Sequence, residues 1–241
     1  MTWVLTYPVP MATSTETRRL VWQLAWELPL FYVLLAAMLF WPAGTFDWWG
    51  GWVYWGEMFV GGNILGLWLF VYEPALFRER LTGAFQKQQV FWDKVLATFL
   101  QLGFFSWVVL MGFDRRWDYS HMPRAWNYAG AVLCPLFYVG CWLVFRANRF
   151  ASPAVKMQEK QKVATTGPYR FVRHPMYVFA ILYFVGMPLL LGSWIGLACV
   201  PFFVAFFVLR IPVEERMLRK ELEGYEAYAS RVRFRLVPGV W

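Results

Sequence analysis

The chain has 241 residues, of which 59% are hydrophobic, 21% aromatic and only 16% charged; its formal net charge is +8 and its pI is near 9.5. Soluble domains run about 45–50% apolar and about 25% charged, so an ordinary soluble domain is excluded, and so is a disordered chain, which needs low hydrophobicity. A mean hydropathy of +0.41 points instead to a polytopic membrane protein.

The first 17 residues carry no Lys or Arg and no small-residue cleavage site, so no cleavable signal peptide is expected. A spanning helix needs about 20 mostly apolar residues. Six spans are predicted, at about Leu20–Trp41, Trp52–Tyr72, Val95–Phe113, Trp126–Phe145, Tyr177–Leu191 and Trp194–Ile211. The last two are short and joined only by Gly192-Ser193, which reads as a tight helical hairpin. Glu27 and Glu57 fall inside the first two spans. Carboxylates there are costly and face the bundle interior or water. A partner such as Asn63 or a loop arginine would explain them, and so would a substrate or proton role. Trp41, Trp48, Trp49, Trp52 and Trp55 crowd the first loop, as an interfacial aromatic belt does.

The bases sort by side. Arg18 and Arg19 precede the first span, Arg78, Arg80, Lys87 and Lys94 occupy the second loop, and seven more lie in the fourth loop and seven in the tail. Alternating sides puts 20 bases on one face and 3 (Arg115, Arg116 and Arg124) on the other. That asymmetry predicts both termini cytoplasmic, with a bacterial-type inner membrane as the expected location. It also assigns the basic pI to topology and anionic-lipid contact rather than to nucleic acid. Cys134, Cys141 and Cys199 sit in apolar stretches without a C-x-x-C pair, and His121 and His174 are the only histidines, so no metal site is expected.

From Pro212 to about Val232 the residues Val213, Met217, Leu218, Leu222, Tyr225 and Tyr228 recur at helical steps, predicting an amphipathic helix at the cytoplasmic interface. Pro212 either starts that helix or is carried within a longer one. The expected fold is therefore all-α: about six transmembrane helices with a C-terminal amphipathic cytoplasmic helix. It forms a single membrane domain over residues 1–241, with N-terminal transmembrane helices in 1–146 and a functional core in 147–241.

The most informative stretch is Ala164–Tyr177, ATTGPYRFVRHPMY. Thr166-Gly167-Pro168 is turn chemistry. Pro175 suits the first turn of a helix, so the fifth span starts at His174–Tyr177. Its unpaired N–H groups, with Arg173 and His174 beside them, make a seat for a carboxylate or phosphate; bases flanking a span are also expected for topology alone. Arg210 and Glu214 lie four apart, on one face if the helix runs on past Pro212. Glu214 and Glu215 also suit a helix start on dipole grounds.

Taken together, GPYRFVRHPMY, the apolar hairpin and EERMLRKELEGYEAYASRVRFRLVP resemble the isoprenylcysteine carboxyl methyltransferase family and the related phospholipid methyltransferases, over roughly Gln158–Pro238. The resemblance implies a membrane-embedded enzyme using S-adenosylmethionine, bound in a cytoplasmic pocket. The family's cofactor contacts match Gln161, Lys162, Val163 and Ala164 ahead of the turn, Tyr169 in it, His174, Pro175, Met176 and Tyr177 at the helix start, and Glu214 in the tail. Its substrate-side arginine matches Arg210, the candidate catalytic residue. The chain departs from the usual Phe-Gly pair in the tail, having Leu222-Glu223-Gly224. The expected partners are membrane lipid and a lipophilic or small methyl acceptor: a prenylcysteine-like carboxylate, a phospholipid amine or a thiol. His174 and the helix start are expected at the cofactor's carboxylate, Glu214 at its ammonium and a tyrosine at its adenine or sulfonium. A soluble Rossmann methyltransferase is excluded, because no G-x-G-x-x-G follows a strand. Two rivals remain. An NADPH-dependent sterol-type membrane reductase resembles this family but carries Asn where this chain has Met176. A non-enzymatic transport or assembly protein would put Glu27 and Glu57 to use.

Overall fold

The computed structural model describes residues 14–81, 91–158 and 160–241. The first 13 residues, on which the signal-peptide expectation mainly rests, and Lys87 lie outside the described residues. All regular structure among the described residues is helical. Helix α1 spans Ser14–Ala43, α2 Trp49–Tyr72, α3 Pro74–Leu81, α4 Phe91–Trp117 and α5 Arg124–Ala147. After a long connection holding a 3-10 turn at Gly167–Arg170 come α6 Pro175–Leu191, α7 Trp194–Ala198, α8 Val200–Glu221 and α9 Tyr225–Arg231.

Among the described residues, four helical stretches are long and apolar enough to cross a membrane: Trp22–Ala43, Phe91–Trp117, Arg124–Ala147 and Trp194–Glu221. Large apolar side chains such as Trp26, Val33, Ile64, Leu67, Leu102, Val132 and Leu209 stand exposed around the bundle. A water-soluble monomer does not expose apolar surface on that scale. Helix α2 is as long as α5, at 24 residues, but its glycines, tryptophans and tyrosines lower its hydropathy; α6 is short, at 17 residues.

The α5–α6 pair is the tightest seam. A Cβ on Gly130 would strike the Leu190 backbone, and one on Gly140 would strike the Phe179 ring. Small residues let helix backbones approach where lipid offers no hydrophobic drive. Helix α1 lies against α4, α2 against α5 and α6, and α8 against α4 and α6. Between them Trp107, Phe184, Phe203 and Phe207 form an aromatic core, with Phe184 and Phe203 stacked at 4.5 Å. The Trp107 indole donates to the Gly196 carbonyl at 2.8 Å, which satisfies its one polar group.

The hairpin forms as expected. Gly192 ends α6 in the left-handed region at φ +78°, and the Ser193 hydroxyl caps α7 by accepting from the Gly196 amide at 2.8 Å. Ser193 also donates to buried Asp114. The tail differs from the expected single amphipathic helix. Helix α8 runs without a break from Val200 through Pro212 to Glu221, then stops. Gly224, at φ +79°, turns the chain before the short α9 begins. The helical periodicity from Pro212 to Val232 thus belongs to two helices whose apolar positions both face inward.

The two intramembrane acids part company. Glu27 is exposed and accepts from the Gln23 amide at 2.7 Å, so it does not face the bundle interior. Glu57 is half-buried, with one carboxylate oxygen buried and without a hydrogen-bond partner. Asn63, its expected partner, donates instead to the Tyr32 hydroxyl and the Phe59 carbonyl. Cys134 and Cys141 are buried thiols, and Cys199 is half-buried.

Candidate active site

The C-terminal end of α5, the connection 148–174, the start of α6, the charged end of α8 and α9 converge on one cleft that is open to solvent. Gln161, Lys162, Val163 and Ala164 line one wall, and Tyr169 another. His174, Pro175, Met176 and Tyr177 line it from α6, and Arg210 and Glu214 from α8. All eleven residues singled out from the sequence are therefore brought together around one space.

The start of α6 is held rigidly. Pro175 takes the first helical position and His174 the cap. The Arg173 and His174 amides donate to the Phe234 and Arg235 carbonyls at 2.9 and 3.0 Å, so the tail is fastened alongside. The Arg173 guanidinium donates to Glu215 at 2.7 Å and to the Val232 and Arg233 carbonyls at 2.8 and 2.9 Å. Arg235 reaches the other Glu215 oxygen at 3.1 Å. Glu215 is 3% exposed, so its charge is sustained by Arg173, Arg235 and His174, the last at 3.2 Å.

His174 faces these glutamates: one ring nitrogen lies 3.2 Å from Glu215 and the other 3.8 Å from Glu214. The ring thus orders the acids more than it offers a free donor to the cleft. The Tyr177 hydroxyl donates to Glu214 at 2.7 Å, and its ring stacks between His174 and Phe207, at 5.6 and 4.7 Å. Glu214, partly exposed, keeps acceptor capacity toward the cleft.

On the facing wall, the Tyr169 hydroxyl accepts from the Asn148 amide at 3.0 Å, and its carbonyl accepts from the Tyr228 hydroxyl at 2.8 Å. Burial raises the hydroxyl pKa of Tyr169 and of Tyr225, and pushes that of Tyr228 up to about 12. All three stay neutral at physiological pH. Gln161 is fixed in a turn, its side-chain oxygen accepting from the Gln158 amide at 3.0 Å.

Arg210 is 8% exposed. Its Nε meets Asp93 Oδ1 at 2.6 Å, and its Nη2 donates to Asp93 Oδ2 at 3.3 Å and to the Pro153 carbonyl at 2.7 Å. Asp93, in the first turn of α4, is fully buried and also accepts from the Val155 amide at 2.8 Å. Asp93 was not singled out from the sequence, where it lies beside Lys94 just ahead of the third predicted span. The available signal was an acid in the first turn of an apolar helix, where the dipole favours it. Asn148, Tyr225, Tyr228 and Arg235 were likewise not recognised as parts of the site. The Tyr225 hydroxyl is buried and has no hydrogen-bond partner among the described residues.

The fold and the site together define an all-helical membrane protein with a polar cleft at one end of its helices. Residues 126–223 match the model of the phospholipid methyltransferase family, so this segment is similar to membrane methyltransferases. No curated protein matches the chain. The matched segment contains every site residue predicted from the sequence and stops short of Tyr225, the tail at 232–241 and, at its other end, Asp93. Among the described residues, no group of three or more His, Cys, Asp or Glu side chains is placed to hold a metal ion.

Proposed function

We propose that this chain is an S-adenosylmethionine-dependent methyltransferase acting on a lipophilic or small acceptor at the membrane surface. The observation that carries this reading is the convergence of all eleven motif residues on one cleft. The cleft also fits the cofactor chemically. Glu214 has spare acceptor capacity for an ammonium, and at the α6 start the Met176 amide is left for a carboxylate, since the Arg173, His174, Tyr177 and Val178 amides already donate to backbone carbonyls and Pro175 has none. Tyr225 holds a buried hydroxyl in need of a partner. His174 acts on this reading by orienting Glu214 and Glu215, and the carboxylate falls to the backbone.

The cofactor supplies an electrophilic methyl group on a sulfonium. The protein's own residues align and desolvate. Tyr177 fixes Glu214, the Glu215 cluster fixes the α6 start, and Arg210 stands at the acceptor side. A thiolate or carboxylate acceptor needs no base, whereas an amine must first lose a proton. We read the helices as six crossings with both termini cytoplasmic, so that the cleft opens to the cytosol and to the inner leaflet.

The test is calorimetric titration of detergent-purified protein with S-adenosylhomocysteine and, separately, with NADPH. The expected result is S-adenosylhomocysteine binding that Glu214→Ala weakens about 10–100-fold, the range of a lost hydrogen bond to a charged group. Binding of NADPH alone would move the protein to the reductases. Binding of neither by a folded sample would leave a non-enzymatic role.

A further inference from the structure

The end of α5 sets the direction of one hydrogen bond in the cleft. Asn148 closes that helix, its own amide donating to the Val144 carbonyl at 2.8 Å. Its side chain serves two partners. Oδ1 accepts from the Phe150 amide at 2.9 Å, and Nδ2 donates to the Tyr169 hydroxyl at 3.0 Å. A backbone amide only donates, so Phe150 fixes which end of the Asn148 side chain is oxygen and which is nitrogen. A side-chain NH2 cannot accept, so Tyr169 is the acceptor of this pair. Its own phenolic proton is thereby turned away from Asn148, and it meets no acceptor among the described residues. The rest of Tyr169 is held still. Its amide donates to the Thr166 carbonyl at 3.2 Å, and its carbonyl accepts from the Tyr228 hydroxyl at 2.8 Å. Asn148 and Tyr169 both line the cleft.

We propose that Asn148 is a positioning residue: by donating to the Tyr169 hydroxyl it aims the Tyr169 proton into the cleft, where that proton is given to a hydrogen-bond acceptor of the bound cofactor, an oxygen or a ring nitrogen. The inference rests on the methyltransferase reading above and deepens it. S-adenosylmethionine carries carboxylate, ribose and adenine acceptors besides its two cationic groups. Glu214 suits a cationic group, and a neutral donor on the facing wall suits an acceptor. A tyrosine whose proton was already given to a protein oxygen would show the cofactor only lone pairs. Twenty-one residues separate Asn148 from Tyr169, so no local motif joins them.

The test is calorimetric titration of the full-length protein in detergent with S-adenosylhomocysteine, comparing the wild type with Asn148→Asp, Asn148→Ala and Tyr169→Phe. Asn148→Asp keeps the size of the side chain and both contacts but reverses one of them. A carboxylate still accepts from the Phe150 amide and also accepts the Tyr169 proton, which withdraws that proton from the cleft. Asn148→Asp should weaken binding about three- to tenfold, the loss of one hydrogen bond, and Tyr169→Phe by a similar factor. Asn148→Ala leaves the hydroxyl free to rotate and should weaken binding less. A merely supporting role predicts the opposite order, because Asp fills the place of Asn and Ala leaves a gap. In a Tyr169→Phe background neither substitution at position 148 should weaken binding further. The proposal is overturned if Tyr169→Phe binds as tightly as the wild type, if Asn148→Ala binds more weakly than Asn148→Asp, or if either change still weakens binding in the Tyr169→Phe background. The Tyr169→Phe arm, and Asn148→Ala with and without it, decide the matter even if Asn148→Asp does not fold. A folded wild type that binds no S-adenosylhomocysteine overturns the methyltransferase reading itself, and the proposal with it.

Discussion

At the scale of single residues, most of the site's polar groups have partners, and one that does not is informative. Tyr225 is 4% exposed, lines the cleft, and has a hydroxyl without a hydrogen-bond partner among the described residues. An unsatisfied buried polar group costs about 1–3 kcal/mol. Tyr225→Phe should therefore leave the free protein as stable or raise its stability by about 1 kcal/mol, while weakening S-adenosylhomocysteine binding severalfold. Thermal unfolding in detergent and calorimetry measure the two effects, and a parallel loss of both would make the hydroxyl merely structural. The motif residues were legible in the sequence because the short spacings from Gln161 to Tyr177 and from Arg210 to Glu214 put them together locally. Asp93 and Tyr225 were not, because each reaches the cleft only through tertiary packing. Glu215 was visible as a helix-start acid, but its three partners, Arg173, His174 and Arg235, come from two other segments.

At the scale of elements, the seam between α5 and α6 carries the site, since α5 ends at Asn148 beneath the cleft and α6 begins at its rim. Gly130 and Gly140 let the two backbones touch. Gly130→Ala should cost about 1–3 kcal/mol through overpacking and lower the midpoint of thermal unfolding. Gly62→Ala, where an added methyl group meets only the Tyr32 hydroxyl at ordinary contact distance, should cost far less. Equal effects would mean that the seam yields. The apolar runs marked the helix cores to within a few residues, because hydropathy over 20 residues is a strong signal. The tail was harder. A helical period continues across Leu222–Gly224 because α8 and α9 both bury their apolar faces on the same side, among them Leu222, Tyr225 and Tyr228. The extended backbone of Leu222 and the positive φ at Gly224 separate them. Pro212 did not break α8: it forfeits a single intrahelical bond, within a helix packed on α4 and α6.

At the scale of the whole molecule, the crossing number follows from which segments share an end. Four helices are apolar enough to cross by hydropathy alone. If only those four crossed, the end of α5 and the end of α8 would face opposite sides of the membrane, as would the α1–α2 and α4–α5 loops. Contacts argue otherwise. Arg173 meets Glu215, the Tyr228 hydroxyl meets the Tyr169 carbonyl, and Arg80 donates to the Ala151 carbonyl at 2.9 Å. At the opposite end Arg115 donates to the Asp47 carbonyl at 3.2 Å. These pairings support crossings by α2 and α6 as well. We propose that the cleft end is the cytoplasmic one, the side to which alternation of the six predicted spans assigns 20 of the 23 bases. Single cysteines placed at Asp47, His121, Glu223 and Arg231, all exposed, in a Cys199→Ala background that leaves only the buried Cys134 and Cys141, make this measurable. A membrane-impermeant maleimide applied to intact cells should label the first two positions, and reach the last two only after permeabilisation. Labelling of Asp47→Cys without His121→Cys would mean that α2 does not cross, and the cleft would then be divided between the two sides of the membrane.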